Sequence, residues 1–422
     1  MSLQDNYLPR LIDNKLQTYL ETFGAVLLEG PKWVGKTMTS MQFAKSSIML
    51  EENKQILELA LLSPQLALSG ANPRLIDEWQ DAPALWDMIR YKIDTSTDKG
   101  LFILTGSTGV NPNLIKHSGA GRIARLRLDP MSLYESGESS GKVSLKDLFS
   151  GQFTPCLEPS ISLEQLAYFI VRGGWPANLK TKRENASLIP SQYITATIDT
   201  DIFKLDETKR DVSKMKLLLR SLARNESTTV SNSKINQDIF NGENQLHTET
   251  LNEYLNIFER LNLFSNQNAF GFSIRSSVRV KNAVKRHFCD PSLASALLGL
   301  NTDSMINDLT TFGFLFEALC ERDLRIYSEA NDAELYHYQD YKNREIDAVV
   351  EWKDGRWAGF EIKLGSNKIE EAAKNLLTIQ KEIEADPKGK KPEFLAIICG
   401  LCEASYQRKD GIYVFPLTAL KN

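Results

Sequence analysis

The stretch "AVLLEGPKWVGKTM", residues 25–38, constrains the fold of this chain more than any other. Its first four residues are small or aliphatic and read as a buried strand. The run breaks at Gly30, and a GxxxxGK[ST] pattern follows through Gly35, Lys36 and Thr37 into residues of helical character. A strand, a glycine-bounded loop and a helix in that order turn successive backbone N–H groups toward one point, which suits a phosphate. Lys36 would neutralise phosphate oxygens, and the Thr37 hydroxyl would serve Mg²⁺. A structural glycine turn with an incidental lysine is the plain alternative, but it leaves the flanking strand and helix unexplained.

Residues 1–135 alternate short apolar runs with amphipathic stretches, as the βα units of a mostly parallel sheet do. Strands are expected at 25–28, 48–50, 75–76, 101–104 and 123–126. "RLIDEWQDAP" puts Asp77 and Glu78 at a strand end, where Asp77 suits Mg²⁺ and Glu78 suits orienting or deprotonating a water. "LFILTGSTG" ends another strand at Thr105, Gly106 and Ser107, a place for a polar residue that senses a terminal phosphate. "GRIARLRL" offers Arg122, Arg125 and Arg127; Arg122 is the first choice for a catalytic arginine, with surface ion pairing as the alternative. The expected nucleotide-binding set is Gly30, Pro31, Lys32, Trp33, Val34, Gly35, Lys36, Thr37 and Met38, with Asp77 and Ser107. The expected catalytic set is Lys36, Glu78 and Arg122, with Thr37 and Asp77 on the metal.

Beyond this region "ESGESSGK" and "GQFTPCLEPSIS" are rich in breakers and read as a linker. The pattern then turns helical, with Gly173, Gly174, Trp175 and Pro176 as a tight turn between helices. Residues 230–264 suggest two helices around a polar turn. A β-like stretch follows, carrying Arg275, Arg279, Lys281, Lys285 and Arg286. That order outlines a winged helix, which could track a nucleic-acid backbone or pack against protein.

The last part reads as a helix at 312–326, strands at 335–338, 346–352 and 357–364, a helix at 368–383 and a strand at 393–398. "KDGR" would close a hairpin that places Asp347 on one strand, with Glu361 and Lys363 on one face of the next. With Glu317 from the preceding helix, these are the residue types a metal-dependent nuclease uses to hold Mg²⁺ and polarise water. The bare [DE]-x-K pattern recurs elsewhere in the chain, so the weight rests on the strand placement. Ion pairing among the same residues is the alternative.

The net charge of −4 over 422 residues rules out a global electrostatic footprint for nucleic acid, so any basic surface must be local. An odd five cysteines point to reduced thiols and a cytoplasmic setting, and Cys399 and Cys402 read as strand-end residues. The four histidines show no metal-ligand spacing. No apolar run reaches the roughly 18–20 residues that span a bilayer.

The segments "LLEGPKWVGKT", "RLIDEWQDAP", "LFILTGST", "AGRIARLRLDPMSLYE", "GGWPAN" and the final Asp…Glu-x-Lys region resemble AAA-type ATPases of bacteria and archaea that carry a C-terminal domain of unknown function. The resemblance implies an α/β chain in three parts. These are a P-loop NTPase parallel sheet over 1–135, a helical and winged-helix middle over 160–300, and a restriction-endonuclease-like α/β domain of PD-(D/E)xK type over 305–422. It implies ATP and Mg²⁺ as cofactors and ATP hydrolysis. Trp33 stands where the family loop usually carries a polar residue, though its N–H still faces the phosphate. The expected function is an ATP-driven switch or motor coupled to a nuclease-like domain, with a DNA or protein partner and room for an oligomer. The alternatives are an ATP-regulated DNA-processing nuclease and a nucleotide-gated interaction module without turnover.

Overall fold

The structure is a computed structural model and describes all residues except 1–6, 108–117, 205–209, 241–244, 273–282, 341, 343 and 388. The chain forms two compact units. One comprises Met1–Pro130, Asp199–Arg210 and Leu255–Leu263; the other comprises Met131–Ile198, Asp211–Tyr254 and Phe264–Asn422.

The first unit is built on a sheet of β1 (Ala25–Glu29), β2 (Ser46–Met49), β3 (Arg74–Asp77), β4 (Phe102–Gly106) and β5 (Ile123–Arg127), in the order β2-β3-β4-β1-β5. Every pairing is parallel. Each strand falls where the periodicity puts it, give or take two residues. Ala25, Val26, Leu27 and Leu28 are all buried, as expected of a central parallel strand covered on both faces. Leu27, Ile76 and Leu104 pack with Leu85, Trp86 and Ile89 of the helix Ala84–Asp94. Parallel strands bring the ends of β1, β3 and β4 to one edge of the sheet, where open α/β sheets hold ligands.

The second unit adds β6 (Val143–Ser144), β7 (Cys156–Leu157), β8 (Asn268–Ala269), β9 (Ala333–Gln339), β10 (Glu345–Trp352), β11 (Trp357–Lys363), β12 (Phe394–Cys399), β13 (Ala404–Gln407), β14 (Tyr413–Phe415) and β15 (Leu420–Lys421). Eight of these form one mixed sheet, β7-β13-β14-β12-β11-β10-β9-β8, while β6 and β15 pair separately. The helix Ile369–Ala385 covers one face, packing Ala372, Leu376 and Ile379 against Val349, Trp357 and Ile397. The β10–β11 hairpin closes as expected at its Asp-Gly turn. The Gly355 N–H donates to the Trp352 carbonyl at 2.8 Å, with Gly355 at φ 76°, a conformation that favours glycine.

The breaker-rich stretch after residue 135 is not a linker. Val143 and Ser144 pair in parallel with Leu420 and Lys421, and Cys156 and Leu157 pair with β13. Leu133, Val143, Leu145, Leu148 and Phe149 are buried. Glycine and serine dominate the composition here, but these apolar side chains between them set the fold. The segment after the helix Thr248–Arg260 also enters the sheet: β8 pairs with β9, and Gln267 bridges Lys285 in antiparallel. Arg275, Arg279 and Lys281 lie outside the described residues. Lys285 is 3% exposed, so it is not available to a phosphate backbone.

Candidate functional site

The loop after β1 runs through two glycines that nothing else could replace. A Cβ on Gly30 would come within 2.2 Å of the Leu128 carbonyl oxygen, and Gly35 sits at φ 97°. Trp33 also holds a positive φ of 63° and is half exposed, a strained conformation for a bulky side chain. Val34 and Pro31 are buried, and Met38 lies in the short helix Lys36–Met41. Arg10 braces the loop from outside: its guanidinium donates to the Val34 carbonyl at 2.9 Å and to the Asp129 carbonyl at 2.7 Å.

Lys36 is buried, and its ammonium donates to the Gly30 and Pro31 carbonyls at 3.1 and 2.7 Å. Burial lowers its pKa to about 8 despite the pull of Glu78 and Asp77, and the nearby Lys32 charge lowers it further. A buried cation held by neutral carbonyls is a poised anion site. Thr37 and Thr105 both donate to Asp77 Oδ1, at 2.8 and 2.6 Å. Burial raises the Asp77 carboxyl above its ordinary value, and these two hydrogen bonds oppose the rise. Glu78 is held at φ 52°; its N–H donates to Thr105, while its carboxylate accepts from Ser107 at 3.0 Å and from Gln80. The structure therefore brings Lys36, Thr37, Asp77, Glu78 and Ser107 to one edge of the sheet. Sequence reasoning did not assign a role to Gln80, which fixes Glu78 and whose only signal was its place two residues further on.

Arg122, the first-choice arginine, is elsewhere. β5 runs parallel to β1, and Arg122, whose carbonyl accepts from the Ala25 N–H, stands at the edge of the sheet opposite the loop. It pairs with Asp94 at 2.8 Å and is 48% exposed. Arg125 pairs with Glu29 at 3.4 Å, and Arg127, on the loop's edge, pairs with Asp129 at 2.7 Å. Two contacts had no sequence signal at all: Lys32 to Asp201 at 2.7 Å, and the Asn262 amide to the Ser107 carbonyl at 3.2 Å. Both partners come from segments of the first unit far along the chain.

In the second unit Lys363 ties Asp347 and Glu361 into one set of ion pairs, and Glu317 stands apart from it. Lys363 lies 3.2 Å from Asp347 and 2.6 Å from Glu361, whose other oxygen accepts from Asn375 at 2.7 Å. The β10–β9 register shifts between Ile346 and Val349, a bulge that re-aims Asp347. Its carboxylate accepts the Ile362 N–H at 2.7 Å, where the β10–β11 ladder has ended. Glu317 bonds to Lys285, a residue the motif reading did not include.

Residues 22–137 match the AAA domain family, residues 163–304 a domain of unknown function (DUF8612), and residues 312–420 another (DUF4143). No curated protein matches the sequence. Among solved structures, a Walker-type ATPase of Pyrococcus abyssi is similar at 16% identity and TM-score 0.45, covering 69% of this chain and 96% of that one. AMPPCP-bound DnaA from Aquifex aeolicus is similar at 12% identity and TM-score 0.30, over 61% of this chain and 90% of its own. RuvB of Thermotoga maritima stands at 17% and 0.27, over 61% and 88%. No helix among the described residues is long and apolar enough to cross a membrane. The region over residues 22–137, with its five parallel strands and its GxxxxGKT loop, is thus similar to the AAA domain family.

Proposed function

We propose that the chain binds ATP with Mg²⁺ at Gly30–Met38 and hydrolyses it, acting as a nucleotide-driven switch. The observation that carries this reading is the buried Lys36 ammonium at the carboxyl edge of a parallel sheet, beside the Thr37–Asp77–Thr105 and Glu78–Ser107 hydrogen bonds. Mg²⁺ would spread the negative charge that develops on the transferred phosphoryl group. Thr37 and Asp77 are the residues to hold it, Lys36 neutralises phosphate oxygens, and Glu78 orients the attacking water. Ser107 is placed to register the terminal phosphate. Arg122, exposed on the far edge, would serve as a finger only for a second copy of the chain. Further along, helices with a winged-helix outline over 160–300 and a nuclease-like sheet over 305–422 would receive the change of state and meet a DNA or protein partner.

The route for that change runs through Asp201 and Asn262, which reach the loop and the end of β4 from segments continuous in sequence with the second unit. Asp201 is nearly buried and neutralises Lys32, which lies close enough to Lys36 to disturb its charge. Asp201→Asn would release Lys32 toward the nucleotide and tighten ATP binding by about fivefold, the scale of one partly exposed ion pair. Calorimetric titration with ATP checks this. The same gain in a Lys32→Ala background would show that the pair is not its source. The reading as a whole is tested by Mg²⁺-dependent ATP hydrolysis with and without DNA. Tight ATP binding with no turnover would replace the switch by the nucleotide-gated interaction module.

A further inference from the structure

The carboxylates of the second unit have the composition of a divalent-metal site, yet their arrangement does not fit a metal. Among the described residues no three His, Cys, Asp or Glu side chains come together as a group that could hold one. The carboxylates are turned onto two lysines instead. Lys285, 3% exposed, directs its ammonium at the Glu317 carboxylate, at Glu321 Oε1 (2.9 Å) and at the Asp347 carbonyl oxygen (3.2 Å). An ammonium has three donors, and here each has an acceptor. Lys363 ties the Asp347 and Glu361 side chains in the same way. On the other side Glu321 Oε2 lies 2.6 Å from His287, whose second ring nitrogen meets Glu226 at 3.1 Å.

Carboxylates this deeply buried stay ionised only with a cation among them, because an uncompensated buried charge is far costlier than a paired one. The source of that cation is informative. The carboxylates come from the helix Leu309–Ala330 and the β10–β11 hairpin, whereas Lys285 comes from a segment joined to Gln267 by an isolated bridge, outside the region of the DUF4143 match. We propose that Lys285 is the resident cation of this cluster, filling the place a divalent ion would take and keying the segment at residues 283–288 onto the C-terminal sheet. The Glu361-x-Lys363 motif is then part of a closed set of ion pairs, and the cluster takes up a divalent ion only when Lys285 is removed.

The test is a Mn²⁺ titration of the full chain without nucleotide, followed by electron paramagnetic resonance of the free ion and by Tm. Wild-type protein is expected to show no Mn²⁺ binding that Asp347→Asn removes. Lys285→Met keeps the unbranched apolar stem, one atom shorter, without the charge. It is expected to gain one Mn²⁺ site that Asp347→Asn abolishes, and to recover with Mn²⁺ the thermal stability it loses. Saturable binding to wild type that disappears in Asp347→Asn and Glu361→Gln overturns the proposal, and so does a folded Lys285→Met protein that gains no site. Should Lys285→Met fail to fold, the triple variant with Glu317→Gln and Glu321→Gln decides. It removes the stranded charges along with the cation and is expected to fold, and its failure to do so overturns the proposal.

Discussion

Lys36→Ala is expected to remove ATP hydrolysis, lowering turnover by about 10²–10³-fold, the usual loss when one preorganised charge donor at a developing negative charge is deleted. The magnitude follows from the position of the group. Lys36 is buried and already desolvated, so nothing else need reorganise when the phosphate charge grows. A steady-state phosphate-release assay measures it, and wild-type turnover in the variant would dismiss the loop as the catalytic site. The same lysine predicts a pH dependence. Its pKa in the free protein is lowered to about 8, and a bound phosphate would hold the proton on. Below pH 8 the ammonium is already protonated, so ATP affinity should be flat. Above pH 8 binding must take up a proton, so affinity should fall by up to about tenfold per pH unit. A flat profile from pH 7 to 10 would show that no phosphate reaches Lys36.

Arg322→Met is expected to destabilise the second unit by about 3–5 kcal/mol, the range for removing one partner of a buried ion pair. Arg322 is 3% exposed; it donates to Asp290 at 2.9 Å and to Asp323 at 2.9 and 2.7 Å. The two carboxylates are themselves struts. Asp323 accepts the Leu133 N–H at 3.0 Å, and Asp290 accepts the N–H groups of Gly174 and Ser292, both at 2.9 Å. Without the guanidinium, two buried carboxylates that each anchor backbone would face one another uncompensated. A Cβ on Gly174 would meet the Met131 carbonyl oxygen at 2.2 Å, so the Gly-Gly-Trp-Pro turn is fixed by close backbone approach at this same point. Urea unfolding of the full chain measures the loss. Lys353→Met, which breaks an exposed pair with Asp332, provides the contrast and should leave the transition unmoved.

What the sequence made legible follows from range. The strands of the first sheet, the Asp-Gly hairpin and the helix Ile369–Ala385 announce themselves because their periods and turns are local. The placement of Lys36, Asp77 and Glu78 was equally local, marked by the aliphatic runs of the strands that precede them. Asp201 was invisible because its partner Lys32 lies 169 residues away, and no pattern in either segment points to the other. Lys285 was left open for a related reason: whether a lysine among other basic residues meets a phosphate backbone or packs against protein is undecided until the acidic helix that receives it is known. Arg122 was partly legible. It precedes its strand whereas the loop follows β1, and in a parallel sheet those positions lie at opposite ends. The stretch after residue 135 failed because breaker residues were weighed as composition, while Val143, Leu145 and Phe149 between them carried the fold.

The pairing of β6 with β15 has a consequence for the birth of the molecule on the ribosome. Ser139 donates to the Leu420 carbonyl across 281 residues of chain. At a synthesis rate of about 5–20 residues per second, residues around 139–144 wait roughly 15–55 s for the partners that complete them. β7 faces a similar wait for β13. Throughout that interval the buried apolar side chains of this stretch and its unpaired strand edges are open to other chains. The glycines and serines that make the stretch look like a linker keep it a poor template for such pairing until its own partner emerges.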